Sequence, residues 1–440
     1  MKRRRPSDAR SVALMVLRSL EDETTFLQFK LDQVVKQAGL DGRDRRLAWN
    51  LVLGTARWLG HLDAQIEPYL RKRRLDQLEP DVLMILRLAT FQLRFMDRIP
   101  EHAIVNSSVV LAKAFVGPRA TGFVNGLLRN MIRHPKDVSF SNGADGIARR
   151  YGHPAWLVEQ YLELMPLDAV VKRCQLNNEP APLTIRICHQ DIDAVVQALM
   201  DEGATVNRCT VAPDGFYLVD HPDPFGSLSF KNKQWAVQDE ASQLVVDLLD
   251  VQPEHTVWDA CAAPGGKARY IRDRLAGTGR LLATDINEDK VTALGQTIAG
   301  PGVTVKRHDA ADPLHQTFDR VLLDAPCTAL GLIRRHPEIR WRRQPSDVTD
   351  RTQYQSRLLD NASDHVSKGG IMVYSVCSDI PDEGQLLIDA FIARRPEFEL
   401  VPPAPDSATG PLTTGGMIRF DPNQLNCDGF FGARLRRKTD

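Results

Sequence analysis

The feature that most constrains the fold is a short strand that runs into a glycine turn and a helix, then recurs with an acid at its tip. Thr256-Val257-Trp258 reads as a buried strand closed by Asp259, and Ala268 to Leu275 reads as helical. Leu281 to Thr284 makes a second strand ending at Asp285. Val303-Thr304-Val305 makes a third, with Asp309 in the loop beyond. Arg320 to Leu323 makes a fourth ending at Asp324, and Ile371 to Tyr374 a fifth. Strands alternating with helices predict a parallel sheet covered on both faces. Ligands of such sheets gather beyond the carboxyl ends of the strands, where all of these acids fall.

Between the first strand and its helix lie Cys261-Ala262-Ala263-Pro264-Gly265-Gly266-Lys267. Glycines there let the backbone approach a ligand closely, and the free N–H groups of a helix start favour an anionic group, carboxylate or phosphate alike. Asp285 follows at about the twenty-residue interval at which a carboxylate accepts hydrogen bonds from a ribose diol. Two cysteines fall at the same edge: Cys327 in Asp324-Ala325-Pro326-Cys327, and Cys377 in Tyr374-Ser375-Val376-Cys377-Ser378. Each alone reads as a small buried filler. Two at neighbouring strand tips beside an acid point to a reactive pair.

The rest of the chain surrounds this core. At 440 residues it is long enough for two or three domains. From Ser7 to about Arg133 the pattern is helical: Val12, Met15, Val16 and Leu20 share one face, as do Val82, Ile85, Leu86, Ala89 and Leu93. Ser139 to Gly146 is a candidate linker. Helical signal returns at Trp156 to Leu164, then Leu183 to Ile187 alternates as a strand, Asp191 to Met200 as a helix and Phe216 to Val219 as a strand. The helix Gln238 to Leu249 leads into the glycine turn, and Met417 to Phe420 with Gly429 to Arg434 reads as a closing strand pair. The expected domains are 1–138, an all-α bundle; 147–232, a small α/β subdomain; and 233–440, a Rossmann-like α/β domain.

Lys plus Arg and Asp plus Glu number 56 each, so net charge is silent about partners. Basic residues nevertheless cluster at Lys2 to Arg5, at Arg71 to Arg74, and at Arg334, Arg335, Arg340, Arg342 and Arg343, the last interleaved with Trp341. That pattern suits a nucleic-acid backbone and a displaced base. Seven cysteines, widely spaced and odd in number, suggest a reducing compartment rather than a disulfide framework. No C-x-x-C spacing suggests a metal and no stretch is long enough to span a membrane, so a cytoplasmic, soluble protein is expected.

Asp259 to Lys267, Asp324 to Cys327 continuing through Gly331-Leu332-Ile333-Arg334-Arg335-His336-Pro337, and Tyr374 to Ser378 resemble the three signature motifs of S-adenosylmethionine-dependent RNA cytosine-C5 methyltransferases of class I fold. Ile99 to Asn106 with Phe123 to Arg129 resembles the RNA-binding domain of the antitermination factor NusB, and Asn177 to Ile187 the RNA-recognition subdomain ahead of the catalytic domain in these enzymes. His102, Asn106 and Asn125 are expected as helix-cap and core-polar residues. The whole chain is similar to the bacterial 16S ribosomal RNA (cytosine-C5) methyltransferase B family, also called RsmB, Sun or Fmu.

That resemblance implies Cys377 as the nucleophile that adds to C6 of the base, Asp324 as the acid that hydrogen-bonds near N3, and Cys327 as the group that helps release product. It implies that Cys261, Ala262, Ala263, Pro264, Gly265, Gly266 and Lys267 cradle the methionine end of S-adenosylmethionine. Asp285 would take the ribose hydroxyls, Asp309 the adenine side, and Asp324 the region between cofactor and base. Val376 stands where the family usually has threonine, and Thr328 where serine is common. The implied substrate is a cytidine of 16S rRNA. The same motifs serve transfer RNA methylation; the other alternative, a non-catalytic RNA-binding or ribosome-assembly factor that has kept the fold, is disfavoured by the intact cysteines, Asp324 and glycine turn.

Overall fold

A computed structural model describes residues 8–22 and 25–439; the Lys2 to Arg5 cluster lies outside the described residues. The chain divides into two compact units: Met1–Pro180 with Ile333–Arg343, and Ala181–Leu332 with Gln344–Asp440.

The first unit is helical. It comprises α1 (Ala9–Leu17), α2 (Leu27–Ala38), α3 (Gly42–Ile66), α4 (Pro80–Phe95), α5 (Glu101–Phe115), α6 (Pro118–Arg133), α7 (Ala144–Tyr151), α8 (Ala155–Leu164) and α9 (Leu167–Leu176). Their starts follow capping chemistry. Asp8 accepts the N–H groups of Arg10 and Ser11, Asp41 those of Arg43 and Asp44, and α4 and α6 begin at proline. Val12, Val16, Leu51, Ile85, Leu86, Leu111, Val124 and Leu128 meet in one core, as the helical spacing predicts. Two expectations change. The supposed linker runs into α7, where Gly146 is buried and a Cβ would lie 2.0 Å from the Ser141 carbonyl oxygen, leaving no room for a side chain. His102 and Asn106 are exposed rather than core-polar or capping, and Asn125 accepts a hydrogen bond from Arg129 one turn on.

The second unit carries two sheets. The smaller is antiparallel, from β1 (Leu183–Ile187), β2 (Thr205–Arg208), β3 (Gly215–Val219) and β4 (Trp235–Val237), in the order β2-β3-β1-β4. β1 was expected to alternate, yet Thr184 to Ile187 are all buried. Both faces are covered: Ile185 and Ile187 pack with Leu199, Phe216 and Trp235, whereas Arg186 bonds Gln238 and Asp273 and lies 4.1 Å over the Tyr270 ring.

The larger sheet holds β5 (Thr256–Asp259), β6 (Arg280–Asp285), β7 (Val303–Arg307), β8 (Phe318–Asp324), β9 (Val366–Val376), β10 (Phe398–Leu400), β11 (Thr413–Thr414), β12 (Met417–Phe420) and β13 (Phe430–Arg437). Its order is β7-β6-β5-β8-β9-β13-β12-β11, with β5 to β9 parallel, β13 antiparallel to β9, and β10 paired with β13. Successive strand residues feed opposite cores. Val257, Leu322 and Val373 pack beneath helices Glu240–Leu249 and Gly266–Leu275, while Trp258, Val321, Leu323, Met372 and Tyr374 pack against Pro345–Asp364 and Gln385–Arg394. This is the two-faced α/β architecture that near-continuous apolar strands dictate. Chain order reverses at β5, which pairs with β6 on one side and β8 on the other. A crevice therefore opens above the tips of β5 and β8.

Candidate active site

The acids at those tips are positioned by register. Asp324 ends β8 opposite Ser375 of β9, and Asp259 ends β5 opposite Leu322. Both carboxylate oxygens of Asp324 are engaged: Ser375 Oγ donates to Oδ1 at 2.7 Å and Lys267 Nζ to Oδ2 at 2.7 Å. Burial alone would lower the Lys267 pKa, but the adjacent Asp324 outweighs it and the net shift is upward, so the ammonium keeps its proton. The same Nζ lies 5.0 Å from the Phe430 ring centroid. Asp259 is only 1% exposed; neither of its oxygens has a partner at ordinary hydrogen-bond geometry, and the Cys261 N–H nearby is a weak donor to it. Burial first, then Asp324, push its carboxyl up to about 8.

The glycine turn bends at Gly265, whose φ is +112°; a Cβ there would lie 2.7 Å from a Leu294 methyl. A Cβ on Gly266 would meet nothing within 4 Å, so that face of the turn is open. No side chain caps the helix start at Gly266. Uncapped N–H groups and an orphaned buried carboxylate together fit a ligand end carrying both a carboxylate and an ammonium. Cys261 sits inside the turn, its thiol pushed well up by burial and by Asp259. Asp285 and Asp309 lie at the tips of β6 and beyond β7, and each spends one oxygen on a local turn, accepting from Asn287 N–H and Ala311 N–H at 2.9 Å.

Adjacent parallel strands β8 and β9 bring the two cysteines together. Cys327 and Cys377 stand with sulfurs 3.2 Å apart, both half-buried. The Cys327 thiol is pushed well up, chiefly by this hydrogen bond and then by burial. A buried glutamate fixes the loop that carries it. Glu383, fully buried, accepts from Thr328 N–H at 2.8 Å, from the Thr328 hydroxyl, and from Gln355 Nε2 at 2.9 Å. The Tyr374 hydroxyl donates to the Glu383 carbonyl at 2.7 Å, and Gly331 N–H to the Cys377 carbonyl at 3.1 Å.

Comparison with known proteins gives the family. The model described as 16S rRNA methyltransferase RsmB/F matches residues 246–436, the NusB family model 7–133, and the RsmF/B-like ferredoxin-like domain model 153–223. The probable ribosomal RNA small subunit methyltransferase B of Bacillus subtilis (strain 168) is 30% identical over 98% of this chain and 99% of its own. The chain belongs to the RsmB/F family of 16S rRNA methyltransferases. Another relative, the ribosomal RNA small subunit methyltransferase B of Pseudomonas putida, is 34% identical over 81% of this chain and 83% of its own. Among solved structures, that of PH0851 superposes with a TM-score of 0.82 at 24% identity, covering 97% of each chain. A methyltransferase homolog from Pyrococcus horikoshii gives a TM-score of 0.55 at 24% identity over 66% of this chain and 97% of its own. Both share the fold. Among the described residues no helix is long and apolar enough to cross a membrane.

Within this RsmB/F chain much of the basic segment after Cys327 is engaged inside the helical unit rather than presented to a nucleic acid. Arg340 is fully buried and donates to the carbonyls of Arg57, Gly152 and Asn177 and to the Asn178 side chain, at 2.9 to 3.2 Å. Arg342 donates to the carbonyls of Leu20, Thr25 and Ser19, and Trp341 Nε1 to that of Ala56 at 2.7 Å. His336 stacks on Phe26 at 4.1 Å. These side chains hold the Ile333–Arg343 segment within the helical unit and are not available to a nucleic acid. Sequence reasoning also missed Glu383 and Gln355. Both are single polar residues with no motif around them, and only their burial in the fold reveals what they hold. The Ser375 hydroxyl serves Asp324 directly, while Val376, which stands where the family usually has threonine, packs in the core.

Proposed function

We propose that this RNA methyltransferase transfers a methyl group from S-adenosylmethionine to C5 of a cytidine in 16S rRNA through a covalent bond between Cys377 and C6. The observation that carries it is the 3.2 Å approach of Cys327 and Cys377 beside Asp324. Cytosine C5 is a poor nucleophile, and a thiolate adding at C6 makes it a good one. The Cys377 sulfur would form the S–C6 bond while the C5–C6 π pair moves toward C5 and the charge passes to the N3 edge. Asp324, oriented by Ser375 and Lys267, would take the Cys377 thiol proton and hand it to N3 as the charge develops there, so that no second anion is left beside the carboxylate. The cofactor supplies an electrophilic methyl carbon. After C5 takes the methyl group, Cys327, having given its own proton to solvent, accepts the C5 proton as a thiolate; the C–H pair restores the C5–C6 double bond and the S–C6 bond breaks with its electron pair returning to the Cys377 sulfur. Cys261 to Lys267, Asp285, Asp309 and Asp324 would hold S-adenosylmethionine, with Asp259 as a further acceptor for its ammonium. The target base must leave any stack for sulfur to reach C6. In this proposal residues 1–138 and 147–232 serve RNA recognition and 233–440 the chemistry.

The experiment is incubation with methyl-labelled S-adenosylmethionine and total RNA, with mapping of the modified base. Label at C5 of a 16S cytidine, abolished by Cys377→Ala while cofactor binding survives, is the expected result. Unchanged turnover in Cys377→Ala would remove the nucleophile assignment, and label confined to transfer RNA would overturn the substrate.

A further inference from the structure

The helical unit contains a cavity of about 500 Å³ between the start of α4 and the start of α6. That volume is within the range of roughly 300–1,000 Å³ typical of small-ligand sites. Its chemistry is divided. Leu78, Val82, Val116 and Phe123 give it an apolar floor, and Arg73 and Arg119 stand at its rim together with one carboxylate, Glu79. Arg73 lies over the Phe123 ring, 5.3 Å from the centroid. The loop leading in is Arg71-Lys72-Arg73-Arg74, four consecutive exposed cations. Arg74 pairs with Asp76 at 2.8 Å, whereas among the described residues no ion pair engages Arg71, Lys72, Arg73 or Arg119. Opposite them, α6 starts at Gly117 and Pro118 with no side chain capping its N–H groups.

We propose that this cavity binds one nucleotide of single-stranded RNA, its phosphate against Arg73 and Arg119 and its base on the apolar floor beside Phe123. The proposal rests on the RNA-methyltransferase assignment above and deepens it by naming where the helical unit grips its substrate. The cations outnumber the one carboxylate at the rim, so the pocket carries a positive field that favours an anionic ligand. An acidic peptide would satisfy the arginines but leave the ring and the aliphatic floor without a flat partner. A nucleotide supplies both parts, a phosphate for the rim and a π face for Phe123 and Arg73.

The test uses the full-length protein, a fluorescein-labelled single-stranded RNA oligonucleotide of mixed sequence, and anisotropy over a range of salt. Arg73→Glu combined with Arg119→Glu changes exposed side chains only. It is expected to weaken binding about tenfold or more at about 0.1 M salt. Loss of the one phosphate contact should also shrink the slope of log K against log salt by roughly 0.7. Phe123→Leu, which keeps an apolar floor without the π face, is expected to weaken binding at least about fivefold with the slope unchanged. Wild-type affinity and slope in the charge-reversed variant would overturn the proposal. So would displacement of the RNA by polyglutamate as readily as by unlabelled RNA. The variant should methylate 16S rRNA with a raised KM and an unaltered kcat. A wild-type protein that binds RNA through the cavity yet methylates none would sink the enzymatic proposal and leave this one standing.

Discussion

Replacement of Glu383 tests how the cysteine pair is held. Its carboxylate accepts three hydrogen bonds, from Thr328 N–H, the Thr328 hydroxyl and Gln355 Nε2, in a site with no exposure. In Glu383→Ala two of these donors keep alternatives. The Thr328 hydroxyl lies 3.4 Å from Ser378 Oγ, and Gln355 Nε2 already reaches the Pro326 carbonyl at 3.2 Å. The Thr328 N–H loses its Glu383 acceptor, at about 1–3 kcal/mol. The cavity and lost packing add about 1–2 kcal/mol, and release from burying a charge returns part of it. The net expectation is a loss of about 2–4 kcal/mol, read as a shift of the urea midpoint at constant m. Thr328 follows Cys327 directly, so the loosened loop should also lower kcat for methyl transfer about tenfold or more, with the cofactor Kd little changed. Glu383→Gln keeps the volume and one acceptor oxygen and should fall between wild type and alanine on both measures. If Glu383→Ala unfolds within about 0.5 kcal/mol of wild type and turns over at the wild-type rate, the glutamate does not position Cys327 and the argument is wrong.

Three other perturbations follow from the site. Cys327→Ala removes the group assigned to product release, so a covalent protein–RNA adduct should accumulate on a denaturing gel; its absence would count against that role. Asp259 carries a folded-state pKa of about 8 against an ordinary 3.8, so the folded state holds its proton more tightly than the unfolded chain. Its contribution to stability is therefore full below about pH 4 and is lost as pH rises toward 8. Asp259→Asn should thus gain on the cofactor-free wild type between pH 5 and pH 9 in urea unfolding, and a pH-independent difference would contradict the assignment. Arg340→Met leaves three carbonyls and the Asn178 oxygen without their donor and should destabilise the helical unit by about 3–5 kcal/mol. Arg340→Lys should recover only part of it, since an ammonium lacks the fork, and the salt slope of RNA binding should not move.

The sheet was legible because its strands are short apolar runs punctuated by acids and glycines, a pattern with few other solutions. The parallel order of β5 to β9 also made it predictable that Asp324, Cys327 and Cys377 would share an edge, since parallel neighbours end on the same side. β2, β4, β10 and β11 were not legible. They are two to four residues long and exist because a neighbouring strand offers a free edge, information that local sequence does not carry. Glu383 was invisible for a related reason. A buried carboxylate is defined by the donors around it, here from Thr328 and Gln355, which lie 55 and 28 positions away in the chain.

The segment around Arg340 shows how charge is misread when it is taken without its spacing to apolar residues. Arg334 to Arg343 has the cations and the aromatic that suit nucleic acid, yet Pro337, Ile339 and Trp341 run between them just after Ile333, and a segment that packs those inward takes Arg340 and Arg342 with it. Once inside, a guanidinium has five donors and seeks carbonyls; Arg340 and Arg342 find them on Arg57, Gly152, Asn177, Leu20, Thr25 and Ser19. Arg71 to Arg74 has no apolar residue among its four cations, so nothing draws it into a core, and it stays exposed at the rim of a cavity. Of two basic runs that look alike by composition, the uninterrupted one keeps its charge for an external anion. Salt-dependent binding should accordingly follow Arg73 and Arg119 and be indifferent to Arg340.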